Sequence, residues 1–393
     1  MDPCVLRETR EGKAIIQHCD LKELAVKEGY VDPAWAPVFY NPRMQCSRDL
    51  STVIVSVYAK YTGRNDLHVV DVMCGTGARG IRYALEVPGV SKVTLNDANP
   101  KAAELTRRNV ALNSVTDMTQ VENREAHGVL ATVKADVIDL DPFGTPAPFV
   151  HPALKALRHK GLLCVTATDL PPLLGIYPRA CMRKYFSLSF KSEFSREMAV
   201  RILLYFVARE AAKLGRRIRP FYSYYLDHHV RICVIVEKSP ESSFLERNIG
   251  FLLYNPSTLE RTLVRIPDFQ SALSKAIISP PYQLGGPLWL GKLWDERTVV
   301  DVESEYVSRL DSYSYCKRGA GIVRRIREEF MLNPFYYTTE KIASTFHLPF
   351  EAPPLEVVRK LSSMGYPSSL THFDPKGVRT EAPVKTILEI WHS

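Results

Sequence analysis

Apolar and polar positions follow two periods along this chain, and the change from one to the other marks its elements. Residues 67–73 (LHVVDVM) form a short apolar, β-branched run, the pattern of a buried strand. Residues 92–97 (KVTLND) predict the next strand and 100–113 the next helix, with Pro100 near its first turn. A weaker strand at 119–126 and a clear one at 136–143 (DVIDLDPF) come next, then a helix around 149–159 and a strand at 161–170. A long helix with a Ser/Glu start spans 192–214, and 219–238 reads as two adjacent strands with no helix between them. Such alternation predicts a mostly parallel sheet covered on both faces, with an antiparallel hairpin at one edge. Ahead of it lie a short strand in EGKAIIQHC, an aromatic, Pro-rich loop at 38–49, and a helix at 49–61.

The alternation stops near residue 240, dividing the chain into residues 1–240 and a C-terminal domain of residues 241–393. Residues 282–299 are rich in Gly, Pro and Trp and are expected to be a loop that docks one domain on the other. Near the end, TTEKIASTF, APPLEVVRKLSSMGY and THFDPKGVRTEAP read as helix, helix, β-ribbon. That order suits a winged-helix-like unit or a small α/β packing domain.

Charge adds a candidate partner. Lys and Arg outnumber Asp and Glu 33 to 25 in residues 1–240 but match them at 18 each in 241–393. Within 179–219 the ratio is 11 to 3. A focused positive field suits a polyanion, although a solvated basic face gives the same count. The eight cysteines are scattered without a C-x-x-C pair, so neither a disulfide framework nor a zinc ribbon is expected. With no long apolar run and no leader-like start, a cytoplasmic protein without a membrane span is the expectation.

Two strand ends carry the chemistry. The first strand runs into Asp71-Val-Met-Cys-Gly75-Thr-Gly77-Ala-Arg79-Gly80, a turn whose glycines let backbone approach a ligand closely. Asp97 lies 22 residues after Gly75, at the end of the next strand, where a carboxylate accepts from both ribose hydroxyls. This much also fits a nicotinamide-binding fold. Asp71 within the strand and the terminal hairpin favour an S-adenosylmethionine site, with Asp71 near the methionine amino group. Glu125 and Ala126, after the third strand, are candidates to hold the adenine. Cys74 reads as filler rather than nucleophile.

The fourth strand ends Asp139-Leu-Asp141-Pro142-Phe143-Gly144-Thr145. The exocyclic amine of a base is a poor nucleophile because its lone pair is delocalised into the ring. Two acceptors, the Asp141 carboxylate and the Pro142 carbonyl, would hold its hydrogens and aim the lone pair at a methyl group, and the carboxylate would take the proton. Phe143 offers a flat face for stacking. Asp139 shares a strand side with Asp141 and ranks below it. An Asp that merely caps the next helix is the structural alternative.

At these residues the chain closely resembles the tRNA (guanine-26, N2)-dimethyltransferase family, through FYNPRMQCSRD, DVMCGTGARGIR, LND, DLDPFGTP, VTATDLPPLLGIYPRACMRKY and THFDPKGVRTEAP. The resemblance implies a class I S-adenosylmethionine-dependent methyltransferase, with a Rossmann-like seven-stranded sheet, acting on the N2 of guanine 26 of tRNA. It implies cofactor contacts from Arg48, Arg79, Asp97, Glu125 and Ala126, catalysis by Asp141, and a base held between Phe39 and Phe143. Where the family usually has DPFGS this chain has DPFGT, and Thr145 keeps the hydroxyl. A tRNA partner gives Arg179, Arg183 and Lys184 a role on its backbone. No metal and no partner subunit are expected. A DNA or protein amino-nitrogen methyltransferase, or a silent RNA-binding relative, are the alternatives.

Overall fold

The computed structural model describes residues 4–21, 32–239, 243–268, 270 and 281–391. An N-terminal ribbon of β1 (Leu6–Glu11) and β2 (Ala14–Cys19) leads into the central seven-stranded sheet. In chain order the strands of that sheet are β3 (Leu67–Asp71), β4 (Val90–Asn96), β5 (Thr119–Glu122), β6 (Ala135–Leu140), β7 (Leu157–Ala167), β8 (Arg216–Leu226) and β9 (His229–Lys238). The spatial order is β5-β4-β3-β6-β7-β9-β8, and β9 alone runs antiparallel to its neighbours. The expected edge hairpin is therefore present, with its second strand inserted beside β7.

Chain order reverses between β3 and β6, which pair in parallel with Asp71 opposite Asp139. In open parallel sheets a crevice for ligands opens beyond the carboxyl ends of the strands at such a reversal. Both candidate loops, after Asp71 and after Leu140, start there.

Two helices are buried almost all round. In α1 (Gln45–Thr62) every residue from Cys46 to Ala59 is buried, polar ones included. Its second face is covered by the C-terminal helix Glu296–Arg309: Arg309 donates to Ser56 Oγ at 2.9 Å, and Lys60 pairs with Glu305 at 2.5 Å. The long helix predicted at 192–214 spans Ser195–Ala212 and packs on β8 and β9 with one face and on the strand Gln283–Trp289 with the other. Burying its Met198, Ile202, Leu203 and Phe206 contributes about 1.5–3 kcal/mol each.

That strand corrects an expectation. Residues 283–289 are not a loop; they pair antiparallel with Ile249–Asn255 in a three-stranded sheet. The pairing satisfies the backbone of this Gly- and Pro-rich segment, and the strand still docks on the long helix, where Arg201 donates to Trp289 O at 2.9 Å. The final unit has the expected order: helices Thr339–Thr345 and Pro354–Ser363, then the antiparallel strands Ser368–Leu370 and Gly377–Thr380.

The cysteine expectation is also corrected. Cys4–Cys19, Cys46–Cys316 and Cys164–Cys233 are disulfides, leaving Cys74 and Cys181 as thiols. Sequence separations of 15, 69 and 270 residues hid these partners. Register supplies one pair directly, since Cys164 on β7 lies opposite Cys233 on β9.

The basic stretch 179–219 also behaves differently from its count. Arg201 pairs with buried Glu197, Arg209 and Lys213 with Glu210, Arg217 with Glu237, and Arg219 with Asp295. Its charges are spread along a helix and a strand and are largely paired with carboxylates of the same chain, several of them at the surface. Arg179 and Arg183 remain exposed.

Candidate active site

The first loop leaves β3 at Asp71, whose carboxylate is buried. One of its oxygens, Oδ2, has no hydrogen-bond partner. Burial, reinforced by the negative charges of Asp139 and Asp141, pushes its pKa up to about 8. An orphaned carboxylate oxygen in a buried site calls for a cationic donor, because leaving it unpaired is costly. The chain then turns through Gly77, which sits at φ +77° as the N-cap of α2 (Ala78–Glu86). A Cβ there would meet Thr106 Cγ2 at 2.8 Å, so both conformation and space require glycine. Gly80 packs on Leu95 and Asp71, drawing α2 onto the sheet.

Asp97 stands across this loop. Its Oδ2 accepts from Gly75 N at 2.8 Å and its Oδ1 from Asn99 N at 2.9 Å, so the acid shapes the glycine turn. Glu125 is exposed just ahead of α3 (Ala126–Thr132), and Ala126 is buried at its start. Asp71, Gly75, Gly77, Asp97, Glu125 and Ala126 thus come from the ends of three adjacent strands, as one extended ligand requires. A buried carboxyl oxygen without a partner to receive an amine, close-approach glycines and a carboxylate for hydroxyls fit S-adenosylmethionine.

The second loop leaves β6 over a fully paired floor. Asp139 is buried and accepts from Arg231 at 3.0 and 2.6 Å and from Tyr83 at 2.6 Å. Burial opposes its ionisation, but Arg231 and Arg79 outweigh that, and its pKa is lowered. Asp139 therefore has no oxygen to offer a substrate and serves as foundation. Asp141, two residues on, has a side chain 21% exposed. Arg79 donates to its Oδ2 and, through its other terminal nitrogen, to Ser51 Oγ. The guanidinium thus holds the catalytic candidate, a link that sequence reading did not foresee when it placed Arg79 on the cofactor.

Arg48 also has an internal partner. It makes a two-nitrogen contact with Glu11 of the ribbon, at 2.7 and 2.5 Å, and donates to Asn41 O. Tyr40 donates to the same Glu11 at 2.6 Å. This buried cluster anchors the loop that carries Phe39.

Phe39 and Phe143 are brought together, with ring centroids 4.7 Å apart and planes at 82°. In this edge-to-face contact no base fits between them. Phe143 is 71% exposed, so one side of its ring is open and free to swing aside. The loop beneath it is fixed. Gly144 N donates to Thr168 Oγ1 at 2.7 Å, and Gly144 O accepts from Thr168 N at 3.0 Å. Thr145 Oγ1 lies 2.9 Å from Tyr185 OH, which donates to Asp169 at 2.6 Å. Lys184 pairs with Asp169 at 2.9 Å, so its charge belongs to this brace first.

Thr168, Asp169, Tyr185 and Arg231 are positioning residues that sequence reading did not single out. Asp169 and Tyr185 lie inside the family motif VTATDLPPLLGIYPRACMRKY, and that was their only signal. His229 was not singled out either: it is buried at the start of β9 with both ring nitrogens unpartnered, and burial depresses its pKa to about 4.

The family model for N2,N2-dimethylguanosine tRNA methyltransferase matches residues 19–392. A tRNA (guanine(26)-N(2))-dimethyltransferase of Saccharolobus islandicus is 33% identical over 388 residues, covering 98% of each chain. One of Methanobrevibacter smithii is 34% identical, covering 99% of this chain and 98% of the relative. The solved complex of Trm1 from Pyrococcus horikoshii with S-adenosyl-L-methionine superposes with a TM-score of 0.82 at 32% identity, covering 98% of this chain and 99% of that one.

Proposed function

This chain belongs to the N2,N2-dimethylguanosine tRNA methyltransferase family, and from that premise we infer that it transfers one or two methyl groups from S-adenosylmethionine to the exocyclic N2 of guanine 26 in tRNA. The observation that carries the reading is the family match, which runs through both candidate loops and the whole C-terminal domain.

The cofactor supplies an electrophilic methyl group. Asp71 would pair with its amine, Gly75 and Gly77 would let it approach backbone, Asp97 would bind its ribose, and Glu125 with Ala126 would bound its adenine. Arg48 and Arg79 would reach its carboxylate only by sharing charge now given to Glu11 and Asp141.

Asp141 and the Pro142 carbonyl accept the two N2 hydrogens and point the nitrogen lone pair at the methyl group. As the C–N bond forms, Asp141 takes the proton, an effect that contributes roughly 10²–10⁴-fold in rate. Arg79 fixes the carboxylate before the base arrives, and preorganisation of this kind avoids reorientation during reaction. Phe143 stacks on the guanine, with Phe39 closing its other face after the two rings part. After one transfer the amine keeps one hydrogen, so a second transfer engages one of the two acceptors and requires that Asp141 has passed its first proton to solvent and that a fresh methyl donor is bound.

Arg179 and Arg183 contact the tRNA backbone, and Lys184 supports them while bracing Asp169. Its action on tRNA is proposed to take place in the cytoplasm, by the monomer.

Methyl transfer to unmodified transcripts carrying G or A at position 26, with nucleoside analysis of the product, tests the reading. N2-methylated guanosine from the G26 transcript alone is expected. Incorporation into DNA or protein but not tRNA would overturn it.

A further inference from the structure

We propose that Ile176 and Tyr177, at the tip of the loop after β7, form a wedge that enters the tRNA stack where guanine 26 has left it. The proposal rests on the guanine-26 reading and goes beyond it, since that reading assigns these residues no role.

Guanine cannot reach Asp141 while stacked, and extruding it costs a few kcal/mol. Proteins that unstack bases offset such costs by inserting apolar side chains into the step they open. A wedge of this kind must be large, apolar, exposed, rigidly mounted and beside the catalytic loop, with positive charge nearby.

The segment after β7, bonded at both of its ends to the catalytic loop, carries side chains of this kind. Tyr177 is 60% and Ile176 53% exposed, and Met182, Phe186 and Leu188 are exposed beyond them. Single exposed apolar side chains are ordinary; here Ile176 and Tyr177 are adjacent and the most exposed of five within 13 residues of chain. Arg179 and Arg183 lie in the same segment and are exposed, so the partner is a polyanion that also presents flat apolar faces. RNA with an opened base step has both.

The mounting is rigid. The loop starts at Thr168 and Asp169, whose backbone N–H groups bond to Gly144 of the catalytic loop. Ile176 N and Tyr177 N both donate to Pro171 O, at 2.9 and 3.2 Å. Gly175, at φ +81°, lies against the backbone of Phe190, so the turn that presents Ile176 is pinned from behind. Tyr185, one helix further on, is bonded to both Thr145 and Asp169. The same bonds that fix the catalytic loop therefore fix the wedge relative to it.

The test compares wild type with Tyr177→Ala and Ile176→Ser on two substrates: a G26 tRNA transcript, and the same transcript with an abasic nucleotide facing guanine 26. Both side chains are exposed, so folding is checked by unchanged melting and cofactor affinity. A loss of about tenfold or more in kcat/KM on the intact transcript is expected, shrinking to within about threefold on the pre-opened one. A transcript with 2-aminopurine at position 26 should brighten on binding wild type and much less with Tyr177→Ala. Equal losses on both substrates, or no loss on either, overturn the wedge. Failure of the wild type to methylate either transcript would instead overturn the guanine-26 reading.

Discussion

Asp141 and Asp71 are both carboxylates at the ends of adjacent strands, yet their surroundings assign them opposite tasks. Asp141 is partly open and gripped by Arg79, and in the proposed reaction it would meet the substrate amine. Replacing it with Asn keeps the shape and removes the proton acceptor. Turnover in Asp141→Asn should fall by at least about 10²-fold while tRNA affinity stays near wild type, because phosphate contacts dominate that affinity. Filter binding beside single-turnover methylation checks this, and near-normal turnover would remove Asp141 from the reaction. Asp71 is buried, and its folded pKa stands near 8 against 3.8 for the free side chain. Its protonated form is the one the fold favours, so its contribution to stability is complete below about pH 4 and is lost as pH rises towards 8. Ligand-free protein should therefore melt lower as pH climbs from 6 to 8, and Asp71→Asn should flatten that slope. An ammonium beside Asp71 favours the ionised form, so binding of S-adenosylhomocysteine should release protons at pH 7, measurable by calorimetry in buffers of different ionisation enthalpy. Binding without proton release would place the amine elsewhere.

The catalytic loop is held by the segment after β7 rather than by its own residues. Tyr185 OH lies between Thr145 and Asp169, on the helix Pro178–Tyr185. Removing one such bond costs about 0.5–1.5 kcal/mol of stability. Tyr185→Phe should accordingly melt only slightly lower but lose about tenfold in turnover, since small displacements of a reacting group are costly. Cofactor affinity should not change, and an equal loss there would mean the helix supports the whole pocket. The strands and the glycine turn were legible because their signals are local: β-branched runs, Gly75 and Gly77, and an acid 22 residues on. The segment 283–289 was misread because Gly and Pro dominate it, while its strand state comes from pairing with residues 249–255.

The catalytic and C-terminal parts are joined through a buried ionic cluster and a covalent bond. Arg379 of the terminal ribbon pairs with Glu197 at 2.7 Å and with Glu329 at 2.9 Å, all buried. Cys46 on α1 is bonded to Cys316, which caps the helix Lys317–Glu329. Cross-linking residues 270 apart constrains the unfolded chain strongly, so Cys316→Ser should lower stability by about 2–5 kcal/mol. Chemical denaturation of oxidised wild type beside the variant, without reductant, checks this, since the other two disulfides are then intact in both. An unchanged midpoint in the variant would show that the non-covalent contacts between the parts hold them together without the cross-link.

Periodicity, the glycine turn, Asp97, the Asp-Pro-Phe-Gly loop and the family motifs are properties of neighbouring residues, and the chain alone determined the fold class and the family and marked the two candidate loops. Tertiary structure decided which charges are free. Arg48, Lys184 and most of the 179–219 cations look available in sequence, yet packing against Glu11, Asp169, Glu197 and Glu210 commits them internally. It also decided that Arg79 grips Asp141, that six cysteines pair, and that Phe39 meets Phe143 edge to face. Apart from the pairs made within the long helix, each of these depends on side chains far apart in the chain meeting in the folded protein, where an unpaired buried charge is costly and partner choice comes from strand order and helix packing rather than from spacing.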